Sequence, residues 1–150
     1  MYHHILVALD GSAESERILP WVRPLVQESG GKVRLLRVYG PMQSVIVGTH
    51  TIAYGHQLES QAQMAALAYL HRVATYLRAD GKLVAFEARC GDPVEVILEV
   101  ARAAGVDLIA MATRTAADGR RLRRQDITAE VMRRAPVAVL VARDGDQRAA

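Results

Sequence analysis

Cysteine, phenylalanine and tryptophan each occur once in these 150 residues, and aromatic side chains make up only 5% of the chain. A lone Cys90 rules out an internal disulfide and a multi-thiolate metal centre, so a reducing cytoplasm is the expected compartment. No apolar stretch approaches the roughly 20 residues that cross a bilayer. The first residues also lack the basic, apolar and small-residue succession of a secretory leader. Lysine is nearly absent, with Lys32 and Lys82 alone, so arginine supplies the positive charge. That charge is local: residues 114–124 hold five arginines and one aspartate, a net +4, while the rest of the chain carries −1 of the formal +3. No aromatic residue interleaves with those arginines, which argues against a stacking platform for single-stranded nucleic acid.

Catalytic signals are equally sparse. His50 and His56 lie far from Cys90 and from any paired acidic ligand, so no metal site is expected. His3 and His4 flank a strand start, His71 falls on a helix, and Cys90 beside Gly91-Asp92 reads as structural. Ser12 has no identifiable base, and no nucleophile elbow or triad is visible. Enzymatic activity is not expected, beyond at most a weak ATPase.

What the chain does contain is apolar runs of strand length alternating with segments of helical period, within a composition that is 51% apolar. This is the pattern of βα units on a parallel sheet, in one domain over residues 1–143 with a polar, disordered tail at 144–150. Residues 2–9 read as a first strand too continuously apolar to be half exposed. Asp10-Gly11-Ser12 turns the chain into a helix over residues 13–28, whose Ile18, Val22, Leu25 and Val26 share a face. Residues 33–38 form the second strand, and residues 40–56 show no clear period. A second helix spans 58–78 with Ala62, Ala66, Tyr69, Leu70, Val73 and Leu77 in one stripe, ended by Asp80-Gly81. Then come a strand at 83–88, a helix at 93–104 opened by Pro93, a strand at 108–112, a helix from about 127 to 134 with a start as early as 120, and a last strand at 137–141. Five strands with right-handed crossovers make an open doubly wound sheet, whose ligand crevice opens at the carboxyl ends where the winding reverses. A reversal between the first and fourth strands would put Asp10-Gly11-Ser12 on one flank of that crevice and Ala112-Thr113-Arg114 on the other.

The opening Ile5-Leu6-Val7-Ala8-Leu9-Asp10-Gly11-Ser12, the pair Leu35-Leu36 before Val38, Gly91-Asp92-Pro93, Asp107-Leu108-Ile109 and the closing Ala135-Pro136-Val137-Ala138-Val139-Leu140-Val141 resemble the universal stress protein family, over residues 2–143. The resemblance implies a Rossmann-like α/β fold with a five-stranded parallel sheet in the order 3-2-1-4-5. It also implies a homodimer joined through the last strand, Val137, Ala138, Val139, Leu140 and Val141. Many members bind ATP through a motif after the fourth strand: Gly, two residues, Gly, nine residues, then Gly and Ser or Thr. Laid without gaps from Met111 to Ala135-Pro136, it falls on Ala112, Thr115, Gln125 and Asp126, so no motif glycine survives. Thr115 is β-branched where the backbone must approach phosphate. Asp126 replaces a hydroxyl donor with a carboxylate that repels phosphate by about 4 kcal/mol per charge pair at 4 Å and an effective dielectric near 20. Asp10 and Val38 match the family's acid at the end of the first strand and the residue beside the adenine.

Three functional readings follow. The first is a dimeric interaction or signalling module of stress response that does not bind ATP through the glycine motif and needs no cofactor. The second keeps an adenine nucleotide, ATP or AMP, on the retained Asp10 and Val38, with Arg114, Arg120, Arg121, Arg123 and Arg124 as a substitute phosphate clamp; the remnant nucleotide-binding positions are then Asp10, Val38, Met111, Ala112, Thr115, Gln125 and Asp126. The third makes those arginines a docking patch for an acidic protein. Plainer roles compete with each: a helix cap for Asp10 and for Asp126, and a solvated charged face for the arginines.

Overall fold

The computed structural model describes residues 1–41, 45–47, 49–53, 55–78, 81, 83–113 and 123–143, with backbone alone at 45–47, 50–53 and 123–126. In chain order the elements are β1 (His4–Leu9), a 3-10 turn (Ser15–Ile18), α1 (Leu19–Ser29), β2 (Lys32–Tyr39), β3 (Val45–Val47), β4 (His50–Ala53), α2 (Gly55–Arg78), β5 (Leu83–Cys90), α3 (Pro93–Ala104), β6 (Leu108–Ala112), α4 (Arg123–Arg134) and β7 (Ala138–Ala142). The main sheet runs β5-β2-β1-β6-β7, with every pairing parallel. Counting its strands alone, the order is 3-2-1-4-5, as the resemblance implies.

The unbroken apolar run of β1 has a plain cause, since both of its faces are covered. Ile5, Val7 and Leu9 enter the core beneath α1 and α2, while Leu6 and Ala8 meet the one beneath α3 and α4. Leu6, Leu36, Leu98 and Ile109 are fully buried in the second core, each contributing about 1.5–3 kcal/mol relative to an exposed side chain. Helix α3 starts at Pro93 as the sequence pattern predicts, because Asp92 caps it, its Oδ1 accepting from the Glu95 N–H at 3.1 Å.

Several expectations are corrected. The first helix does not run unbroken from residue 13: a 3-10 turn precedes α1, and Pro20 sits in the first turn of α1. Proline lacks the amide hydrogen that a helix begun at residue 13 would use at this position, whereas in a first turn that hydrogen is not needed. Residues 40–56 include the antiparallel hairpin β3-β4, whose β-branched runs flank Gly48-Thr49 in the sequence. Helix α2 starts at Gly55, three residues early, and β5 extends to Cys90. Helix α4 starts at Arg123, so Asp126 lies inside it and is not its cap. The last strand is shifted by one residue, because pairing starts with Ala138 opposite Leu108, after the Pro136 turn; Val137 precedes the strand. The tail 144–150 lies outside the described residues.

The lower edge of the sheet is tied by one carboxylate. Asp107 accepts the His3 N–H at 2.8 Å through Oδ2 and the His4 N–H at 3.1 Å through Oδ1. Its own N–H donates to the His4 carbonyl at 3.0 Å. Burial opposes its charge, but these N–H donors outweigh that and hold the carboxyl below the usual aspartate value. The folded pKa is depressed, so the stabilisation is complete above the unfolded value of about 4 and is lost as pH falls through the folded value. Asp107→Ala should cost about 1–3 kcal/mol at pH 7, and the gap from wild type in denaturant titrations should narrow below pH 4. A gap that does not change with pH would refute this role.

Candidate ligand site at the carboxyl edge of the sheet

The chain leaves β1 toward β2 on one side, and β6 lies on the other, so the winding reverses between β1 and β6. A crevice is expected there, because the two crossovers depart to opposite faces. A cavity of about 310 Å³ occupies this place. Its walls come from the last residues of β1, β2 and β6, the 3-10 turn after β1, and the first turns of α3 with Ile127 and Thr128 of α4.

Asp10, Val38, Met111 and Ala112, singled out from the sequence, all line this cavity. Arg114, Thr115, Arg120 and Arg121 lie outside the described residues, as do the side chains of Arg123, Arg124, Gln125 and Asp126. Arg37, Ser15 and Thr128 also face the cavity, and sequence reading did not select them. A visible signal existed for Arg37, a cation within an apolar strand immediately before Val38.

Local chemistry shapes the β1 rim. Asp10 Oδ1 accepts the Ser12 N–H at 2.8 Å, which closes the turn after β1. The Ser12 hydroxyl oxygen accepts the Ser15 N–H at 3.2 Å, and the Ser15 hydroxyl donates to the Ser12 carbonyl at 2.8 Å. Asp10 therefore closes a turn and does not cap a helix, since its Oδ1 bonds to Ser12, and the residues at the N-cap positions of the 3-10 turn and α1 are Glu14 and Ile18. Gly11 has φ +86°, and a Cβ there would fall 2.9 Å from Arg37 Cζ. The glycine thus serves two needs, a left-handed turn and room for a guanidinium.

Arg37 lies with Cζ 5.3 Å from the Tyr69 ring centroid, and Arg72 Cζ stands 5.4 Å from the same centroid. The Tyr69 hydroxyl is buried and makes no well-formed hydrogen bond. Burial, then the nearby Glu16 carboxylate, push its pKa up to about 12, so the phenol is neutral at physiological pH. On the other face, Arg134 grips Glu95 through two bonds of 2.6 and 3.1 Å. That pair ties the end of α4 to the start of α3, and both helices supply cavity wall.

The arrangement suits binding. An apolar slot between Val38, Met111 and Ile97 has Asp10, Ser15, Arg37 and Thr128 among its lining residues, the pattern of a small-molecule pocket with few polar groups. Among the described residues, no group of three or more His, Cys, Asp or Glu is placed to hold a metal ion. No described helix is long and apolar enough to cross a membrane. Burial, then Glu59, raise the Cys90 thiol above its ordinary value, which keeps it protonated and poorly nucleophilic at neutral pH.

Comparison with known proteins places this architecture. A universal stress protein from Lactobacillus plantarum, UspA, superposes with a TM-score of 0.72 at 21% identity, covering 95% of this chain and 98% of that one. A universal stress protein solved in complex with cAMP gives 0.69 at 21% identity, with 95% and 97% covered. One from Archaeoglobus fulgidus in complex with dAMP gives 0.63 at 15% identity, with 93% and 97% covered. At such identities the likeness concerns the fold. A search of curated proteins by sequence finds no match. The sequence model of the universal stress protein family matches residues 1–143, nearly the whole chain, and the chain therefore belongs to the universal stress protein family.

Proposed function

We propose that this universal stress protein is a cytoplasmic ligand-responsive module that holds the nucleoside end of a purine nucleotide between β1 and β6 and has lost ordinary triphosphate binding. The observation that carries the reading is the convergence of Asp10, Val38, Met111 and Ala112 on one cavity. The fit is good at the nucleoside end, where apolar walls and a carboxylate face a space of about 310 Å³, near the lower limit for small-molecule pockets. It is poor at the phosphate end. Gln125 and Asp126 occupy α4, where the motif needs a glycine and a hydroxyl residue, and a carboxylate near a helix start competes with phosphate for the same positive potential. Relatives solved with cAMP and dAMP support the ligand class.

In calorimetric titrations a purine nucleoside monophosphate should bind, ATP should bind no more tightly, and Asp10→Ala should weaken the monophosphate by about tenfold or more. Micromolar ATP binding that is tighter than monophosphate binding would overturn this reading.

We further propose that the module acts as a homodimer through β7. This strand is the outer edge of the sheet, and its Val139, Leu140 and Val141 are half exposed. An open groove of about 630 Å³ runs beside it, where Met132 and Val141 present apolar surface. An outer strand of this kind, left without a pairing partner among the described residues, is a template for pairing with a second chain. Light scattering should give twice the 16.4 kDa chain mass, and Leu140→Glu should return the monomer. A wild-type monomer at micromolar concentration would contradict the proposal.

A further inference from the structure

We infer that Arg37 is a positioning residue of this site: its guanidinium is the floor on which the Asp10-Gly11-Ser12 turn rests, and it thereby holds the Asp10 carboxylate where a ligand meets it. The inference deepens the reading of the cavity as a nucleoside site and rests on it. The turn leaves the sheet after Leu9, and Arg37 is the residue of β2 opposite Leu9 in the parallel register. Side chains alternate along a strand, so Arg37 follows Val33 and Leu35 onto the face that α1 and α2 cover, away from the slot that Val38 lines. The same alternation sends Arg34 to the other face, where an ion pair with Glu87 engages it, Nη1 to Oε1 at 2.8 Å. Ion pairs among the described residues also engage Arg89, Arg133 and Arg134, and none engages Arg37.

Contact geometry shows what Arg37 does instead. A Cβ on Gly11 would stand 2.9 Å from Arg37 Cζ and 3.0 Å from both Nη1 and Nη2. Three nearly equal distances put that point over the flat face of the guanidinium and not beyond its edge, so the turn lies face-on against the guanidinium plane. The Tyr69 ring, 5.3 Å from Cζ, holds the same group from α2. The hydrogen bonds of the turn, Asp10 to Ser12 and Ser12 to Ser15, join residues no more than three positions apart. They fix its shape, whereas Arg37, from another strand, fixes its place above the sheet. Gly11 is exposed, with φ +86°. With solvent on its outer side, the turn would swing without that floor and carry Asp10 with it.

Two measurements on the full chain test this, with thermal melts to establish that each variant folds. In amide nitrogen relaxation without ligand, Gly11 of wild type should be rigid, with an order parameter of about 0.85. Arg37→Met should lower it below about 0.6, while the His4 amide, held by Asp107, is unchanged. In calorimetric titration with AMP, Arg37→Met should weaken binding about tenfold, and so should Arg37→Lys, which keeps the charge and loses the planar face. In the Asp10→Ala background Arg37→Met should cost less than about twofold more, because Arg37 acts through Asp10. A Gly11 amide as rigid in Arg37→Met as in wild type would overturn the proposal, as would full AMP affinity in either Arg37 variant. A loss that multiplies that of Asp10→Ala would make Arg37 a direct ligand contact and overturn it as well. If wild type binds no AMP, the nucleoside reading falls, and the Gly11 order parameter alone then decides whether Arg37 holds the turn.

Discussion

Burial of β1 on both faces is the constraint from which the rest of the molecule follows. A central parallel strand has no solvent side, so Ile5, Leu6 and Val7 must be apolar in succession, and helices must cover both faces. Once α1 and α2 take one face and α3 and α4 the other, the winding has to reverse beside β1. The backbone then parts at its carboxyl end, and the cavity is the gap left by that parting. Its position is thus a consequence of topology, and its chemistry is decided by the few residues that emerge there.

Those residues divide along the two flanks of the gap. On the β1 and β2 side, Asp10 is fixed by the Ser12 amide, and Gly11 and Tyr69 seat Arg37. On the β6 side, Met111 and Ala112 lead into a stretch where four motif positions hold Ala112, Thr115, Gln125 and Asp126. Helix α4 is held at its far end by the Arg134–Glu95 pair. A solvent-accessible ion pair of this kind contributes little to stability, and its value here is positional, since Ile127 and Thr128 of α4 complete the cavity wall. The carboxylate rim is kept and the glycine cradle is gone, which is the physical basis for separating nucleoside binding from triphosphate binding.

Much of this was legible in the sequence because burial on two faces writes itself as long apolar runs. The bounds of α3 and β6 could be read directly, the first from Asp92-Pro93 and the second from an uninterrupted Leu-Ile-Ala-Met-Ala. The α1 boundary was missed because Pro20 acts on the backbone and leaves the apolar period unchanged. Asp126 was misread as a cap because the charged residues 123–126 hide a helical start that carries no apolar signal. The β3-β4 hairpin was missed because two short strands of three and four residues fall below the length at which alternation can be distinguished. Arg37 shows the deepest limit. In sequence it equals Arg34, and only Gly11 and Tyr69, from distant parts of the chain, distinguish a seated cavity cation from an ion-paired one.

The central claim is that a nucleoside occupies the gap between β1 and β6. Amide chemical-shift mapping of the isotopically labelled chain during titration with AMP tests it most directly. The account expects saturable shifts concentrated at Asp10, Gly11, Arg37, Val38, Met111 and Ala112, with the lower edge around Asp107 unchanged. Shifts confined to other surfaces, or none at saturating nucleotide, would contradict it.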